Sequence, residues 1–428
     1  MSVVLCSAIL KASILDVQSG FEAWLQRSED EMPRALYEAM DCENNGYAEA
    51  NASYNSQQWG AAKMLISDLQ PGLKHHDIHC ISFTPSFKLI CGFTLNEFGR
   101  LLLSLQPELK TAFPRCPIML GPEEISSKGS IRLKLFLCLY RIKLGTTFRE
   151  MECTFGWCKT SIHEWFETVL YVLHVKLRRY HHGFLDFKGK NWQMQQVCAW
   201  VAKHNTDGNL DVFVNKIKHQ NEKLLATRNP ESIDLNMFVG SLFAVDGTYS
   251  VRTAASDKQL AAWGESRETD RLWTDFKKIH GYKIVLAMSH GLHGSPKFIL
   301  KLVYGCARPS DASVYNTMVP LLRRDLISQA VGLGDAAFHA AFLIISPYTA
   351  LETGPQHSRE KQQARKTFNY VHSSDRMVSE HGMRYVKMWG AVRGRDDANL
   401  FNNDDTVKCV FEVVWGLHNY IADGCPVY

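Results

Sequence analysis

No apolar run in this 428-residue chain approaches the roughly 20 residues that a membrane helix needs, so no membrane-spanning segment is expected. Charge of one sign is also missing. With 48 Lys and Arg against 44 Asp and Glu the net charge is only +4, so contact with nucleic acid has to come from local patches. The 12 cysteines, beginning with Cys6, Cys42 and Cys80, lack paired spacing and fall largely in apolar or helical surroundings. That pattern fits reduced intracellular thiols better than a disulfide scaffold. No fixed-period repeat and no low-complexity tract occurs. Residues 1–15 are partly apolar but no basic stretch precedes them, so a secretory signal is not expected. What is present is a 46% hydrophobic fraction, suited to a folded globular protein, over a length that suggests two or three domains.

One stretch organises the rest. Leu242, Phe243, Ala244 and Val245 leave no polar face and are expected to form a buried strand. The strand delivers Asp246 at its end, and Gly247 lets the backbone turn or approach a neighbour closely. A second unit, Val331-Gly332-Leu333-Gly334-Asp335, repeats the arrangement, and Glu380 comes later inside a helix-like segment. Two strand-end aspartates and a helical glutamate are the donor types that hold divalent cations.

Taken in order, residues 1–60 are mixed and acidic and carry little information. Leu95 to Leu105 has helical apolar spacing, and Pro107, Pro114 and Pro117 are expected to break the helix beyond that point. His75, His76, His79 and Cys80 have zinc-ligand chemistry, but the other half of such a site is not evident, and a solvent-exposed loop explains them better. Residues 131–140 read as a buried helix ending near Gly145, 147–155 as a short second helix, and, after a turn at Gly156, 159–173 as a third. Helix, short turn, helix is the helix-turn-helix pattern, with Lys159, Thr160, Ser161, His163 and Glu164 at the exposed start of a recognition helix. A three-helix packing unit without DNA contact is the alternative. Arg178, Arg179, Lys188 and Lys190, interleaved with Tyr180, Phe184 and Phe187, fit either a nucleic-acid backbone or a solvated helix face. Asn229-Pro230 marks a boundary. Beyond Asp246, residues 254–278 read as an insertion or mobile loop, 281–288 and 297–305 as strands joined by a turn at Gly294-Ser295, and Ser310 as the N-cap of a helix through Leu322.

Consecutive strands and then alternating helices and strands fit a ribonuclease-H-like α/β sheet. Val245-Asp246-Gly247-Thr248, Arg308 to Ser313, Leu333-Gly334-Asp335-Ala336 and Phe368 to Glu380, in that order, resemble the DDE-type transposases of the PIF/Harbinger group. The resemblance spans about 130–395. It implies a catalytic triad of Asp246, Asp335 and Glu380, with Asp311 as a further metal-ligating acid and Mg²⁺ or Mn²⁺ as cofactor. Singly, each acid has a plainer role: Asp246 caps a turn, Asp311 sits at a helix N-terminus, and Glu380 pairs with Arg376 or Arg384 four residues away. Tyr249 stands where members commonly have histidine, and Ser379 replaces an expected aliphatic residue. Neither departure removes an acid, but both leave open a decayed or domesticated element.

The expected organisation is an α/β nuclease domain of ribonuclease-H-like type over 236–428, preceded by an all-α helix-turn-helix region at 126–180 and a helical basic connector at 181–235. Residues 1–125 have no assigned role. The expected function is a metal-dependent DNA endonuclease or transposase that cuts and joins strands by two-metal phosphoryl transfer. A domesticated, non-catalytic DNA-binding protein is the alternative, and a metal-dependent RNA nuclease, disfavoured by the helix-turn-helix, is a third reading. Double-stranded DNA is the expected partner, contacted through Lys159, Thr160, Ser161, His163, Arg178 and Arg179, with Arg359, Lys361, Arg365 and Lys366 as a further basic segment. The resemblance also implies a nuclear location and leaves open a separate DNA-binding partner protein and a homo-oligomer.

Overall fold

The structure is a computed structural model that describes residues 86–118, 129–181, 184–228 except 207, 240–291 except 263, 267 and 268, 297–327, 330–395 except 340, and 397–424 except 399 and 402. Residues 1–60, the histidine cluster at 75–80, the Asn229-Pro230 boundary and the Gly294-Ser295 turn lie outside them. The chain divides into two compact units, one of residues up to 144 with 148–169, the other of 145–147 with 170–428.

The first unit is helical. It holds α1 (Ser86–Cys91), α2 (Leu95–Ala112), α3 (Ile131–Leu144), α4 (Phe148–Phe155) and the first part of α5 (Lys159–Leu177). Thr94 and Glu97 close a reciprocal capping box at the start of α2. Pro107 does not break this helix, which runs on to Ala112. The proline removes only the bond to the Leu103 carbonyl, on a face where Leu103 is exposed, while Leu101, Leu102, Leu105 and Leu109 anchor the opposite face in the core. Helix α3 is buried on every side, including Arg132, Lys134, Arg141 and Lys143. Aromatic faces receive two of these cations: Lys134 Nζ lies 3.7 Å from the Trp165 ring centroid and the Arg141 guanidinium 3.7 Å from that of Phe148. Burial lowers Lys134 to about 8. Gly145 (φ 65°) and Gly156 (φ 72°) follow α3 and α4 in the left-handed conformation that glycine adopts without a Cβ penalty.

The second unit is built on a mixed sheet. Its elements are α6 (Phe184–Asn205), α7 (Asn209–Arg228), β1 (Gly240–Val251), α8 (Asp257–Ala262), β2 (Trp273–Thr274), β3 (Ile279–Ser289), β4 (Ile299–Cys306), α9 (Asp311–Asn316), α10 (Val319–Asp325), β5 (Ala330–Leu333), β6 (Ile344–Ile345), α11 (Arg359–Lys387), α12 (Gly390–Arg393) and α13 (Asp404–Gly424). β3 runs antiparallel between β1 and β4, while β5 and then β6 continue parallel to β1 on its other side. The short strand β2 pairs with the start of β3. Leu242–Val245 of β1 and Ile284–Met288 of β3 are continuous buried apolar runs, as segments covered on both faces must be.

Two expectations change. Residues 254–278 are no simple loop, because they contain α8 and β2 and bury Leu260, Asp270 and Leu272. The helix opened by Ser310 stops at Asn316 and restarts as α10, whose second residue, Pro320, has no N–H to continue the earlier ladder. Residues 184–228 are helical and pack on the sheet: the Gln193 amide donates to the Asp325 carbonyl at 2.7 Å and the Gln220 amide to the Ile344 carbonyl at 2.5 Å. Among the described residues no helix is long and apolar enough to cross a membrane, and Cys91, Cys116, Cys138, Cys153, Cys158, Cys198, Cys306 and Cys409 are free thiols.

Candidate metal centre

The register of two parallel strands sets the acids. Ala244 of β1 lies opposite Leu333 of β5. Two residues on from each come Asp246 and Asp335, so both carboxylates leave the sheet at the same end and the same level. Gly334 is needed between them, since a Cβ there would lie 2.7 Å from an Ile344 methyl and 3.0 Å from a Val245 methyl. Asp246 Oδ1 accepts from the Gly247 N–H at 2.8 Å, and Asp335 Oδ1 accepts from the Ala337 N–H at 2.9 Å, capping a 3₁₀ turn. The plainer roles of these residues are therefore real, and they also fix where the carboxylates point.

Helix α11 brings the third acid. It packs across β1, β3 and β5, and it comes close because residue 382 is glycine, where a Cβ would meet the Met288 side chain at 2.4 Å. Ser379 is fully buried and donates to the Arg376 carbonyl at 2.8 Å, so the hydroxyl that replaces an aliphatic side chain is satisfied within its own helix. Arg376 holds Glu380 at 2.5 Å and reaches to 3.8 Å from Asp246 Oδ2. A guanidinium thus stands between two of the acids. Burial raises the Asp246 carboxyl to about 6 against the pull of the Gly247 N–H and of Arg376, and the negative charges of Asp335 and Glu380 push the same way as burial. The three acids named from the sequence share one electrostatic neighbourhood.

Asp311 does not join them. A Cβ at Gly247 would lie 2.6 Å from Asp311 Oδ2, and neighbouring residues of a strand point to opposite faces. Asp311 therefore sits on the face away from the Asp246 side chain. There Lys283 Nζ binds its Oδ1 at 2.8 Å and lies 5.1 Å from the Tyr249 ring centroid, so Asp311 already has a full countercharge.

The remaining basic and polar candidates stand on separate elements. Lys159 and Thr160 are exposed at the start of α5, Ser161 is half-buried, and His163 is half-buried with its ring 4.8 Å from that of Phe148. Arg178 is exposed, while Arg179 donates to the Tyr180 hydroxyl at 2.8 Å. Arg359, Lys361 and Lys366 are exposed on the first turns of α11; Arg365 is half-buried, donating to the Glu352 carbonyl and lying over the Tyr348 ring.

Sequence reasoning passed over the residues that fix α11 in place. Asp375, nearly fully buried, accepts from Trp200 Nε1 at 2.9 Å and Lys203 Nζ at 2.7 Å, and His204 Nε2 lies 2.5 Å from its Oδ2. The buried ring of His372 contacts the Ile345 carbonyl at 2.9 Å. Spacing along the chain shows Arg376 four residues before Glu380 but carries no signal of its reach to Asp246.

Carboxylates are the donor type that a hard divalent cation takes. Asp246 is raised by burial and by the charges of Asp335 and Glu380, and Arg376 spans Asp246 and Glu380, but among the described residues the ligand atoms of the three acids do not gather within 4.8 Å of one another. Residues 245–419 match the family described as DDE superfamily endonuclease. The matched segment contains Asp246, Asp311, Asp335 and Glu380. No curated protein and no solved structure matches the chain significantly.

Proposed function

We propose, with the endonuclease match as premise, that this chain is a metal-dependent DNA nuclease of the PIF/Harbinger transposase type, acting on double-stranded DNA in the nucleus. The observation that carries the reading is the placement of Asp246 and Asp335 at the same end of two paired parallel strands, with Arg376 reaching from α11 to both Asp246 and Glu380. The strand order β4-β3-β1-β5-β6, with three antiparallel strands and then two parallel ones, supports a ribonuclease-H-like classification. The helices α3, α4 and α5, joined by short glycine turns, support a DNA-contacting helix-turn-helix.

In this reading Asp246, Asp335 and Glu380 hold Mg²⁺ or Mn²⁺. When bound, two such ions supply an activated water or 3′-hydroxyl and neutralise the leaving oxygen of an in-line displacement. The chain's own part is positional. Asp246 and Asp335 are set by strand register, and Glu380 is set by a helix whose approach Gly382 permits. Arg376 screens the acids from one another until phosphate or cation arrives. The same guanidinium favours one rival reading, a non-catalytic DNA-binding descendant in which Arg376 replaces the cation for good.

Two measurements test the reading. Mg²⁺ or Mn²⁺ at about a hundredfold excess over its Kd is expected to stabilise the folded protein by about 2.7 kcal/mol. Asp246→Asn and Asp335→Asn should each abolish the accompanying rise in melting temperature; a response unchanged in both variants places the ions elsewhere. For DNA, Lys159→Glu alone, and separately Arg178→Glu with Arg179→Glu, should weaken duplex binding and reduce the slope of log K against log salt by about 0.9 per lost phosphate contact. An unchanged slope moves the DNA surface to the Arg359–Lys366 segment.

A further inference from the structure

The acid cluster uses no histidine. A second group of ligand-type side chains lies elsewhere in the sheet unit: His174 near the end of α5, His181 just after the 3₁₀ turn Arg178–Tyr180, and Glu412 on α13. One ligand atom from each lies within 4.8 Å of the others. His174 Nε2 is 2.5 Å from Glu412 Oε2, and the His174 and His181 rings stack at 5.7 Å with 19° between their planes. His181 is fully buried, its ring 5.3 Å from that of Trp415; Glu412 is 10% exposed at its side chain and His174 24%.

We propose that His174, His181 and Glu412 form a zinc site distinct from the acid cluster. His174 and Glu412 already form an ion pair, and an ion would join His181 to that pair. The second imidazole lies within reach of the same point and is stacked on the first, where two imidazolium charges would repel. Two neutral imidazoles and one carboxylate, by contrast, are a donor set that zinc takes, with a water in the fourth position. Ligand bonds of about 2.0–2.2 Å place donor atoms about 3.3–3.6 Å apart on one ion. The closest pair must open, and the widest close, by about 1 Å, a side-chain adjustment that leaves the backbone in place.

The backbone is already held for this. Asn419, fully buried two turns beyond Glu412 on α13, donates to the Tyr180 carbonyl at 2.8 Å and to the Ile299 carbonyl at 2.7 Å, and its own oxygen accepts from the Ile299 N–H at 2.8 Å. Trp415 Nε1 donates to the same Ile299 carbonyl at 2.7 Å. These bonds fix the register of α13 against the turn that carries His181, so Glu412 meets two histidines that lie far away in sequence. The more exposed His174 gives the ion its way in. The site would fasten the end of α5 and the turn after it to the C-terminal helix.

The test uses the full-length protein, stripped with a chelator, dialysed and titrated with Zn²⁺ against a chromophoric competitor. One ion per chain is expected. His181→Gln, Glu412→Gln and the partly exposed His174→Gln should each lower affinity by more than the roughly 10- to 100-fold that loss of an outer-shell partner costs. Asp246→Asn and Glu380→Gln should leave it unchanged. Because a buried substitution can unfold the chain, Co²⁺ added to the wild-type protein provides a second measurement: visible absorption of tetrahedral type, displaced by Zn²⁺ and not by Mg²⁺, is expected. Absence of Zn²⁺ binding in the wild type overturns the proposal. So does binding that a folded His174→Gln or His181→Gln variant retains at full strength, which puts the ion elsewhere in the chain.

Discussion

Glu380→Gln is expected to lower Mg²⁺-dependent nicking of a DNA duplex by about a hundredfold or more while the protein stays folded and still binds DNA. The side chain is half exposed, and its visible partner, Arg376, lies on the same helix. As a surface ion pair it is worth under about 1 kcal/mol, and its loss would be nearly silent in every assay. As a cation ligand it supplies a charge that phosphoryl transfer needs, and a hundredfold loss corresponds to about 2.7 kcal/mol of barrier. The two roles thus predict different results from one substitution. Removing the acid also frees Arg376 from its 2.5 Å partner, so affinity for DNA phosphate should hold or rise. The measurement is nicking of a supercoiled plasmid by wild type and variant side by side, with folding monitored by circular dichroism. Equal nicking by the two proteins refutes the triad. Absence of nicking by both, with DNA still bound, selects the non-catalytic reading in which Arg376 has taken the cation's place.

The largest effect on stability is expected at Asp375→Ala, five residues before Glu380 on α11. Burial would raise this carboxyl, but contacts from His204 and Lys203 overcome burial and hold it at about 2. Truncation leaves the Trp200 N–H and the His204 ring facing a void in a buried cluster, while Lys203, more than half exposed, can return to water. The resulting cost is about 3 kcal/mol, at the low end for breaking a buried charge pair because one partner reaches solvent. A melting temperature about 6 °C lower is the corresponding shift. The same group fixes a pH dependence. Its folded pKa lies below its unfolded value, so the stabilisation is complete above about pH 5 and is lost as pH falls through about 4 toward 2. The shift is worth about 2 kcal/mol. In urea titrations from pH 7 to pH 2.5 the wild type should lose most of that increment and Asp375→Ala should not. Parallel pH profiles would remove Asp375 as the anchor of α11. Since α11 carries both Arg376 and Glu380, the variant should also nick poorly at temperatures where it remains folded.

Much of the architecture was legible because it depends on local periodicity. The four-residue apolar run before Asp246 reads as a buried strand, and the strands around 281–288 and 297–305 declare themselves by length and composition. Helices α3, α4 and α5 were readable from apolar spacing and from Gly145 and Gly156. The continuation of α2 through Pro107 was not, because a proline is tolerated when the carbonyl it orphans faces water, and exposure is not written in the local sequence. The split between α9 and α10 turned on Pro320, which reads equally as the first turn of a new helix or as an interruption of an old one.

The acids divide in the same way. By itself the sequence determined the residue types on offer: two aspartates at strand ends, a glutamate on a helix, and enough apolar residues beside each to hold it rigidly. It did so because strand ends and helix faces are set by neighbours in the chain. Tertiary structure alone decided which acids share one electrostatic neighbourhood. The parallel register of Ala244 with Leu333 levels Asp246 with Asp335, and the close approach of α11 at Gly382 brings Glu380 and Arg376 to them. Alternation along β1 puts Asp311 on the other face, in the grip of Lys283. Those outcomes depend on pairings between residues far apart in the chain, where spacing carries no signal, and the meeting of His174, His181 and Glu412 was invisible for the same reason.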